Sequence, residues 1–273
     1  MSLIILASLT LLLVSWWISE PLRIAYRRRQ LTSLPFPSAW REIIKLNVPY
    51  VRSLPADLQL RLKKLVQVFV AEKAFVGCSG LVITDEIRIT VAAQACLLIL
   101  NLPNYYYPNV HQVLVYPEPF VVNRNYTDSI GVLQNHNQVL SGESWAHGQV
   151  ILSWQDALDG AAIVDDGRNV VIHEFAHQLD QQKGYANGAP DLMSRERYQH
   201  WSHVLGSEFA RLQGQISRQE ASLFSAYGAT DPAEFFAVIS EVFFEQPERM
   251  AAEHPELYSE LGNFYRLHPL SWS

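Results

Sequence analysis

Asn169-Val170-Val171-Ile172-His173-Glu174-Phe175-Ala176-His177-Gln178-Leu179-Asp180 is the run from which the rest of the chain can be interpreted. The spacing of its apolar residues predicts a helix. His173 and His177 are four residues apart, so on a helix they lie ~40° apart around the axis and ~6 Å apart along it. Two imidazoles on one helical face can bind the same Zn²⁺ ion at ~2.0–2.1 Å each.

Glu174 follows the first histidine, and its carboxylate is expected beside a metal ion rather than bound to it. A carboxylate in that place can take a proton from metal-activated water, which is the H-E-x-x-H arrangement of zinc peptidases. Chance produces such a match in a chain of this length on the order of one time in a hundred. Two other interpretations stay open: a structural metal site, and a buried helix that binds no metal.

The composition predicts a folded chain with a substantial core. Of its 273 residues, 49% are hydrophobic and 18% are charged, which argues against disorder. Two cysteines, Cys78 and Cys96, are too few for a secreted disulfide framework and favour a reducing compartment. The net charge is −6, and no basic stripe follows the first 29 residues, so nucleic-acid binding is not expected.

The N-terminus has the pattern of a membrane anchor. Residues 3–18 are apolar apart from two serines and one threonine, Trp16 and Trp17 close the run, and four arginines follow within residues 23–29. We therefore predict membrane contact through residues 3–19 and a single-pass protein of the cytoplasmic (inner) membrane with its catalytic domain in the cytoplasm. A helix packed on the folded domain is the alternative.

A catalytic zinc site needs a third protein ligand and an open position for water. Lys183 stands where a third histidine, six residues after His177, would be, so the third ligand must come from another element. Residues 227–245 supply the best candidates. Asp231 is the expected N-cap of a helix there, with Pro232 in its first position.

Spacing alone leaves the third ligand open. Glu234, Glu241 and Glu245 fall within ~40° of one another, on the side of the predicted helix opposite its apolar face. Glu234 is the leading candidate, with Glu241, Glu220 or another carboxylate as alternatives. Glu234 could instead complete a capping box with Asp231, and the three glutamates could form a solvated face.

Two further segments have two interpretations each. Residues 150–154 are either the edge strand on which a peptide substrate pairs or an ordinary strand of a small sheet. Residues 105–107, three consecutive tyrosines, are either a platform for a ligand or aromatic rings packed on the core. His200 and His203 are interpreted as surface or packing residues.

Four parts of the chain, from about residue 36 to the C-terminus, resemble one known family. They are HEFAHQLD at 173–180, Tyr227 with DPAEFFAV at 231–238 and SE at 240–241, VYPEPFVV at 115–122, and SGESW at 141–145. This combination is similar to the zinc peptidase family of Mlc titration factor A.

The resemblance implies roles for individual residues. His173, His177 and Glu234 would bind zinc, and Glu174 would be the general base. Tyr227 matches a tyrosine, seven residues before the glutamate ligand, that is thought to stabilise the oxyanion in lethal-factor-like peptidases; a buried packing tyrosine is the alternative.

The resemblance also suggests partners for the ligands and for the protein. Asp180 and Glu241 are candidates to support the metal ligands, with a helix-surface role as the alternative for each. The member that names the family binds a glucose-linked transcriptional repressor and has aminopeptidase activity. A peptide or protein substrate and a repressor are therefore the expected partners.

The predicted fold class is α+β: a mainly helical zincin-like metallopeptidase domain with a small mixed β-sheet, preceded by one N-terminal transmembrane helix. Residues 1–29 form the anchor and its basic flank, and residues 30–273 form the domain. The predicted function is hydrolysis of peptide bonds by a membrane-tethered zinc peptidase. The alternative is a regulatory binding protein that sequesters a transcriptional repressor or another cytoplasmic partner, with zinc mainly structural.

Overall fold

The computed structural model describes residues 9–10, 14–127, 133–140, 142–145 and 148–272, and of residues 120–145 it describes the backbone alone. Within these residues the chain is mainly helical, with a small sheet. The helices are α1 (Glu20–Ser33), α2 (Ser38–Asn47), α3 (Ala56–Glu72), α4 (Asp85–Leu98), α5 (Trp154–Ala162), α6 (Val170–Asp180), α7 (Arg195–Ser217), α8 (Pro232–Glu245), α9 (Pro247–Glu253) and α10 (Pro255–Tyr265).

The strands form a four-stranded mixed sheet and a separate hairpin. In chain order they are β1 (Ala74–Gly77), β2 (Gln112–Tyr116), β3 (Phe120–Thr127), β4 (Leu133–Leu140), β5 (Gly142–Trp145) and β6 (Gln149–Ser153). The sheet order is β1-β2-β6-β5, with β1, β2 and β6 parallel and β5 antiparallel to β6. Strands β3 and β4 pair antiparallel to each other.

The core is built around two helices that are buried on nearly all sides, α4 and α8. Four phenylalanines of α8 are at most 1% exposed, and each such burial contributes ~1.5–3 kcal/mol. They pack against aromatic rings of α7 and α10, including Trp201 and Tyr265. Helix α8 is therefore held rigidly from several directions, which fixes the positions of the polar side chains that it carries.

Helices α6 and α8 lie side by side and run in opposite directions. Asn169, just before α6, contacts Glu245 at the end of α8, whereas His177 in the last turn of α6 contacts Glu234 at the start of α8. Helix α6 is buried along most of its length. Apolar residues such as Val171 face the core, while the histidines face α8.

The N-terminal part of the structure corrects one prediction. Of the predicted span, residues 3–8 and 11–13 lie outside the described residues, and no described helix combines the length and apolarity that a bilayer crossing requires. Helix α1 begins with Glu20 and carries four arginines, charges that a spanning segment does not tolerate.

Helix α1 packs on α3 instead, where the Arg28 guanidinium binds both carboxylate oxygens of Glu72 at 2.7 and 2.8 Å. The predicted N-terminal transmembrane helix is wrong, because no described helix is long and apolar enough to cross a bilayer. So is the single-pass membrane localisation that depended on it, whereas the membrane contact through residues 3–19 is not confirmed. The domain boundary predicted between residues 29 and 30 falls inside α1 and stays a prediction.

The structure chooses between the alternatives for two other segments. Strand β6 lies between β2 and β5, so residues 150–153 form an ordinary sheet strand with both edges occupied, and the substrate-edge interpretation is wrong. Tyr107 is buried, and its hydroxyl donates to the Ala95 carbonyl at 2.7 Å. Tyr105 packs edge-on against it, so these rings belong to the core.

Candidate metal centre

Helix α6 begins at a well-formed cap that sets the position of its histidines. The Asn169 side-chain oxygen accepts a hydrogen bond from the Ile172 N–H at 3.0 Å, which satisfies a backbone donor that the helix itself leaves free. Four residues further on, His173 and His177 lie on the same face with ring centroids 4.9 Å apart. The local period of the helix is enough to bring these two rings together.

Helix α8 supplies a carboxylate to the same point. Asp231 caps α8 by accepting from the N–H groups of Ala233 and Glu234, at 2.8 and 3.0 Å. The Glu234 side chain does not return to this cap. Its Oε2 lies 3.0 Å from His173 Nε2 and 3.3 Å from His177 Nε2. The capping-box and solvated-face interpretations of Glu234 therefore fail.

The three donor atoms fit a zinc ion. His173 Nε2 and His177 Nε2 are 3.3 Å apart, so all three donor–donor distances lie between 3.0 and 3.3 Å. Two ligands of a tetrahedral zinc with bonds of ~2.0–2.1 Å are separated by about 3.3 Å. Two imidazole nitrogens and one carboxylate oxygen are also a donor set that catalytic zinc sites use, with a fourth position left for water.

The other nitrogen of His173 is oriented by Glu241. His173 Nδ1 lies 2.8 Å from Glu241 Oε1, and the acceptor-only carboxylate requires Nδ1 to carry the proton. Nε2 of a neutral ring then presents its lone pair to the metal position. Burial favours the neutral ring, but the Glu241 and Glu234 carboxylates outweigh it and raise the pKa of His173 well above its usual value in the absence of a metal.

Glu174 and Tyr227 both lie next to His173. Glu174 is 5% exposed, and burial raises the pKa of its carboxyl to about 7 against the opposing effect of both histidines. Tyr227 lies in the 3₁₀ turn Ala226–Ala229, with its ring centroid 5.8 Å from that of His173 and 43% of its surface exposed. An exposed phenol beside the ligands is not the buried packing tyrosine of the alternative.

Asp180 binds the backbone rather than a ligand side chain. Its carboxylate accepts from the N–H groups of Asn187, Gly188 and Ala189 at 2.6–3.0 Å. Burial raises the pKa of Asp180, and these three hydrogen bonds oppose that shift. Gly188 (φ +77°) packs so closely on Pro232 that any Cβ would clash with its carbonyl. Asp180 therefore holds a loop that touches the first residue of α8.

The remaining candidates lie away from the histidine pair. Glu220 forms an exposed ion pair with Arg218 at 2.7 Å. His200 is an exposed side chain whose Nε2 lies 3.5 Å from the buried carboxylate of Glu260, in agreement with the prediction of a surface or packing residue.

Two functional candidates were missed by sequence reasoning, Asn169 and Glu245. Burial raises the pKa of Glu245 to about 9, and its oxygens accept from Arg168 N–H and Asn169 Nδ2. Asn169 could have been recognised as an N-cap, because it directly precedes a predicted helix. Glu245 could have been recognised as a partner of Glu241, because it lies four residues later on the same face, although that position equally fitted a solvated face.

Comparison with known proteins also indicates a metallopeptidase. Residues 22–266 match the model of a family described as glucose-regulated metallo-peptidase M90. The chain is 39% identical over 246 residues to an uncharacterized protein of Synechocystis, with 90% of each chain covered. It is 38% identical over 228 residues to Mlc titration factor A of an Enterobacter species, covering 82% of this chain and 85% of the relative. The corresponding protein of Yersinia pestis is 34% identical, with 85% of each chain covered.

Proposed function

Because the chain belongs to the glucose-regulated metallopeptidase M90 family, we propose that it is a zinc-dependent peptidase whose metal is held by His173, His177 and Glu234. Membership of a metallopeptidase family implies a metal, and the donor set present suits zinc. The observation that carries the proposal is the convergence of three ligand atoms from α6 and α8 within 3.0–3.3 Å of one another.

Zinc, when bound, supplies Lewis-acid chemistry: it lowers the pKa of water towards ~7 and polarises the scissile carbonyl. The protein supplies the proton transfers. Glu174 follows a ligand directly in sequence, and its buried carboxyl has a pKa of about 7. The carboxylate accepts the proton of the attacking water and delivers it to the leaving amine.

Tyr227 donates a hydrogen bond to the oxyanion of the substrate. Its position beside His173 and its exposure support this role, because a group that contacts substrate must be reachable from solvent. Donors that are already in place where negative charge develops stabilise the transition state without reorganisation.

The substrate is a peptide that pairs with the outer edge of β5. This strand ends the four-stranded sheet, packs against α6 and has no strand partner other than β6 within the described residues. Peptides commonly add a strand to such an edge through backbone hydrogen bonds. The edge strand that pairs with substrate is therefore β5 and not residues 150–154, for which the sequence analysis considered this role.

The test is metal analysis paired with cleavage of peptide libraries by wild type and Glu174→Gln. Libraries with free and with acetylated N-termini separate aminopeptidase from endopeptidase activity. We expect one zinc per chain in both proteins and a loss of turnover of ~10²–10⁴-fold in Glu174→Gln. Glu220→Gln, which changes an exposed glutamate remote from the site, is the control and should cleave as wild type does. A wild type that takes up no zinc, or a Glu174→Gln variant with full activity, would refute the proposal.

A second candidate function is the binding of a transcriptional regulator. It is supported by the name of the relatives, Mlc titration factor A. In this function the zinc site mainly stabilises the fold, and a purified repressor of the Mlc type should bind wild type and Glu174→Gln equally. Binding by a protein that is inert on all peptide libraries would favour this function over the first.

A further inference from the structure

A set of hydrogen bonds lies behind His173, on the side away from the metal position. The Glu241 carboxylate has two partners there: Oε1 lies 2.8 Å from His173 Nδ1, and Oε2 accepts from the Asn169 backbone N–H at 2.5 Å. The orientation of His173 thus depends on Glu241, and that of Glu241 depends on Asn169.

Asn169 uses every polar atom of its side chain. Its Oδ1 caps α6 at Ile172, and its Nδ2 donates to the Gly160 carbonyl at 2.9 Å and to Glu245 Oε1 at 3.1 Å. The second oxygen of Glu245 accepts from the Arg168 N–H at 3.0 Å. Two carboxyl groups of α8 therefore bind the N-terminal end of α6.

This region is enclosed. Asn169, Glu241 and Glu245 are 4–7% exposed. The adjoining cavity, lined in part by Asn169, Glu245 and Tyr50, has a volume of about 10 Å³, room for about one water molecule. Bulk water therefore does not replace a hydrogen bond that is lost here, so breaking one carries the full cost of an unsatisfied buried group.

We propose that Asn169 and Glu245 are positioning residues for metal binding: they fix the start of α6 against α8 so that Glu241 aligns the His173 ring with the other two ligands. This inference rests on the proposed zinc site and adds two residues that do not touch the metal. Helix capping alone is the competing explanation for Asn169, since any good N-cap would satisfy Ile172.

Asn169→Asp separates the two explanations. Aspartate caps a helix as well as asparagine does, so a pure capping role predicts no change. The positioning role predicts a loss, because the substitution replaces the Nδ2 donor by an oxygen that faces Glu245 and the Gly160 carbonyl. We expect the zinc affinity, measured by competition with a chelator, to fall ~10–100-fold.

Glu245→Gln breaks the same contact from the other side. The glutamine amide must face one N–H donor, either Arg168 or Asn169, with its own NH₂ group, and the same loss of zinc affinity is expected. In the double variant Asn169→Asp/Glu245→Gln the polarity is exchanged: the glutamine NH₂ donates to the aspartate, and its oxygen accepts from Arg168. Zinc affinity should recover to within about fivefold of wild type, and the remaining loss comes from the Gly160 carbonyl.

Glu260→Gln is the matched control, because Glu260 is a buried carboxylate (3% exposed) on α10 that faces Arg197 and His200 rather than the ligands. It should lower the thermal stability and leave the zinc affinity unchanged. Folded single variants that bind zinc as wild type does, or a folded double variant without recovery, would overturn the inference. If a single variant does not fold, the double variant alone tests the inference. A zinc affinity within about fivefold of wild type supports it, and a larger loss overturns it.

A metal-free measurement keeps this test separate from that of the proposed function. If wild type binds no zinc, the proposed function fails, and amide hydrogen exchange at residues 169–173 of the metal-free protein still tests the hydrogen bonds. Slow exchange in wild type and the double variant, with exchange at least about tenfold faster in the single variants, supports them. Equal exchange in all four proteins refutes them.

Discussion

The two ends of α6 are both held by buried carboxylates, but the carboxylates come from opposite partners. At the N-terminal end, Glu241 and Glu245 of α8 accept hydrogen bonds from Asn169 and Arg168. At the C-terminal end, the helix supplies its own carboxylate, Asp180, which binds the N–H groups of the loop that follows.

This difference indicates which end of α6 positions the proposed metal ligands. Negative charge at a helix N-terminus is favourable, whereas Asp180 stands at the C-terminus, where the helix dipole opposes it. Its three hydrogen bonds to a loop compensate for that position. Glu241 contacts His173 directly, while Asp180 acts on Glu234 only through Gly188 and Pro232. We therefore expect the N-terminal end to govern metal affinity and the C-terminal end to govern stability.

The largest effect is expected between the two ends, in Glu234→Ala. Described contacts of the Glu234 carboxylate go to the two histidines and not to the carboxylates at either end of α6. Zinc affinity should fall by on the order of 10³-fold or more, because one of three protein ligands is lost. The metal-free variant should unfold only slightly below the temperature of the metal-free wild type, since it loses the contacts of Glu234 with the two histidines, as scanning calorimetry can show. If the metal-free variant is strongly destabilised, Glu234 also stabilises the ends of α6. The assignment of metal affinity to one end and stability to the other would then be wrong.

A smaller effect, on stability, is expected from Asp180→Asn. The amide keeps acceptors for part of the loop but turns its NH₂ towards at least one backbone N–H. The free energy of unfolding in urea should fall by ~2–3 kcal/mol, as for the loss of a hydrogen bond to a charged group. Zinc affinity should change less than about threefold. A loss of zinc affinity as large as that of Glu245→Gln would show that the two ends act alike.

The last effect, the smallest when expressed per pH unit, concerns a buried charge of the opposite sign, Lys73, away from the metal centre. Its ammonium donates to the carbonyls of Tyr107 and Val110 at 2.6 and 2.8 Å, and burial lowers its pKa from 10.5 to about 8. Between these two pH values the unfolded chain holds a proton that the folded protein has released. The free energy of unfolding therefore rises with pH over this window, by at most about 1.4 kcal/mol per pH unit.

Lys73→Met removes this titration. Urea unfolding of both proteins between pH 8 and 10 should give a difference in free energy of unfolding that grows with pH in favour of wild type. A constant difference would show that Lys73 keeps its ordinary pKa. In that case burial would shift the pKa of a carboxyl group held by N–H groups, such as Asp180, but not the pKa of an ammonium held by carbonyls.

Sequence reasoning worked best where the geometry is local. The cap at Asp231 and the helical spacing of the two histidines both follow from residues within one or two turns. It was weakest where partners are distant in the chain. Glu241 and Glu245 fitted a solvated face as well as a buried one, and residues 150–154 fitted an edge strand as well as a central one.

The N-terminal segment shows a different kind of error. Residues 3–18 have an apolar composition, which favoured a membrane span, but the described helix that follows is charged and packs on α3 through Arg28. Composition reports how apolar a segment is. It does not report whether a helix is long and apolar enough to cross a bilayer, and no described helix is.

By itself, the sequence determined helix α6 and the placement of His173, Glu174 and His177 on it, because the helical period sets which residues share a face. It also determined the family, through motifs that survive without any knowledge of packing. Only the tertiary structure decided that α8 runs antiparallel to α6, so that Glu234 meets the histidines and Glu241 and Glu245 are buried at the helix start. The physical reason is that contacts between residues sixty to eighty positions apart depend on how the aromatic core packs the two helices, which no local period encodes.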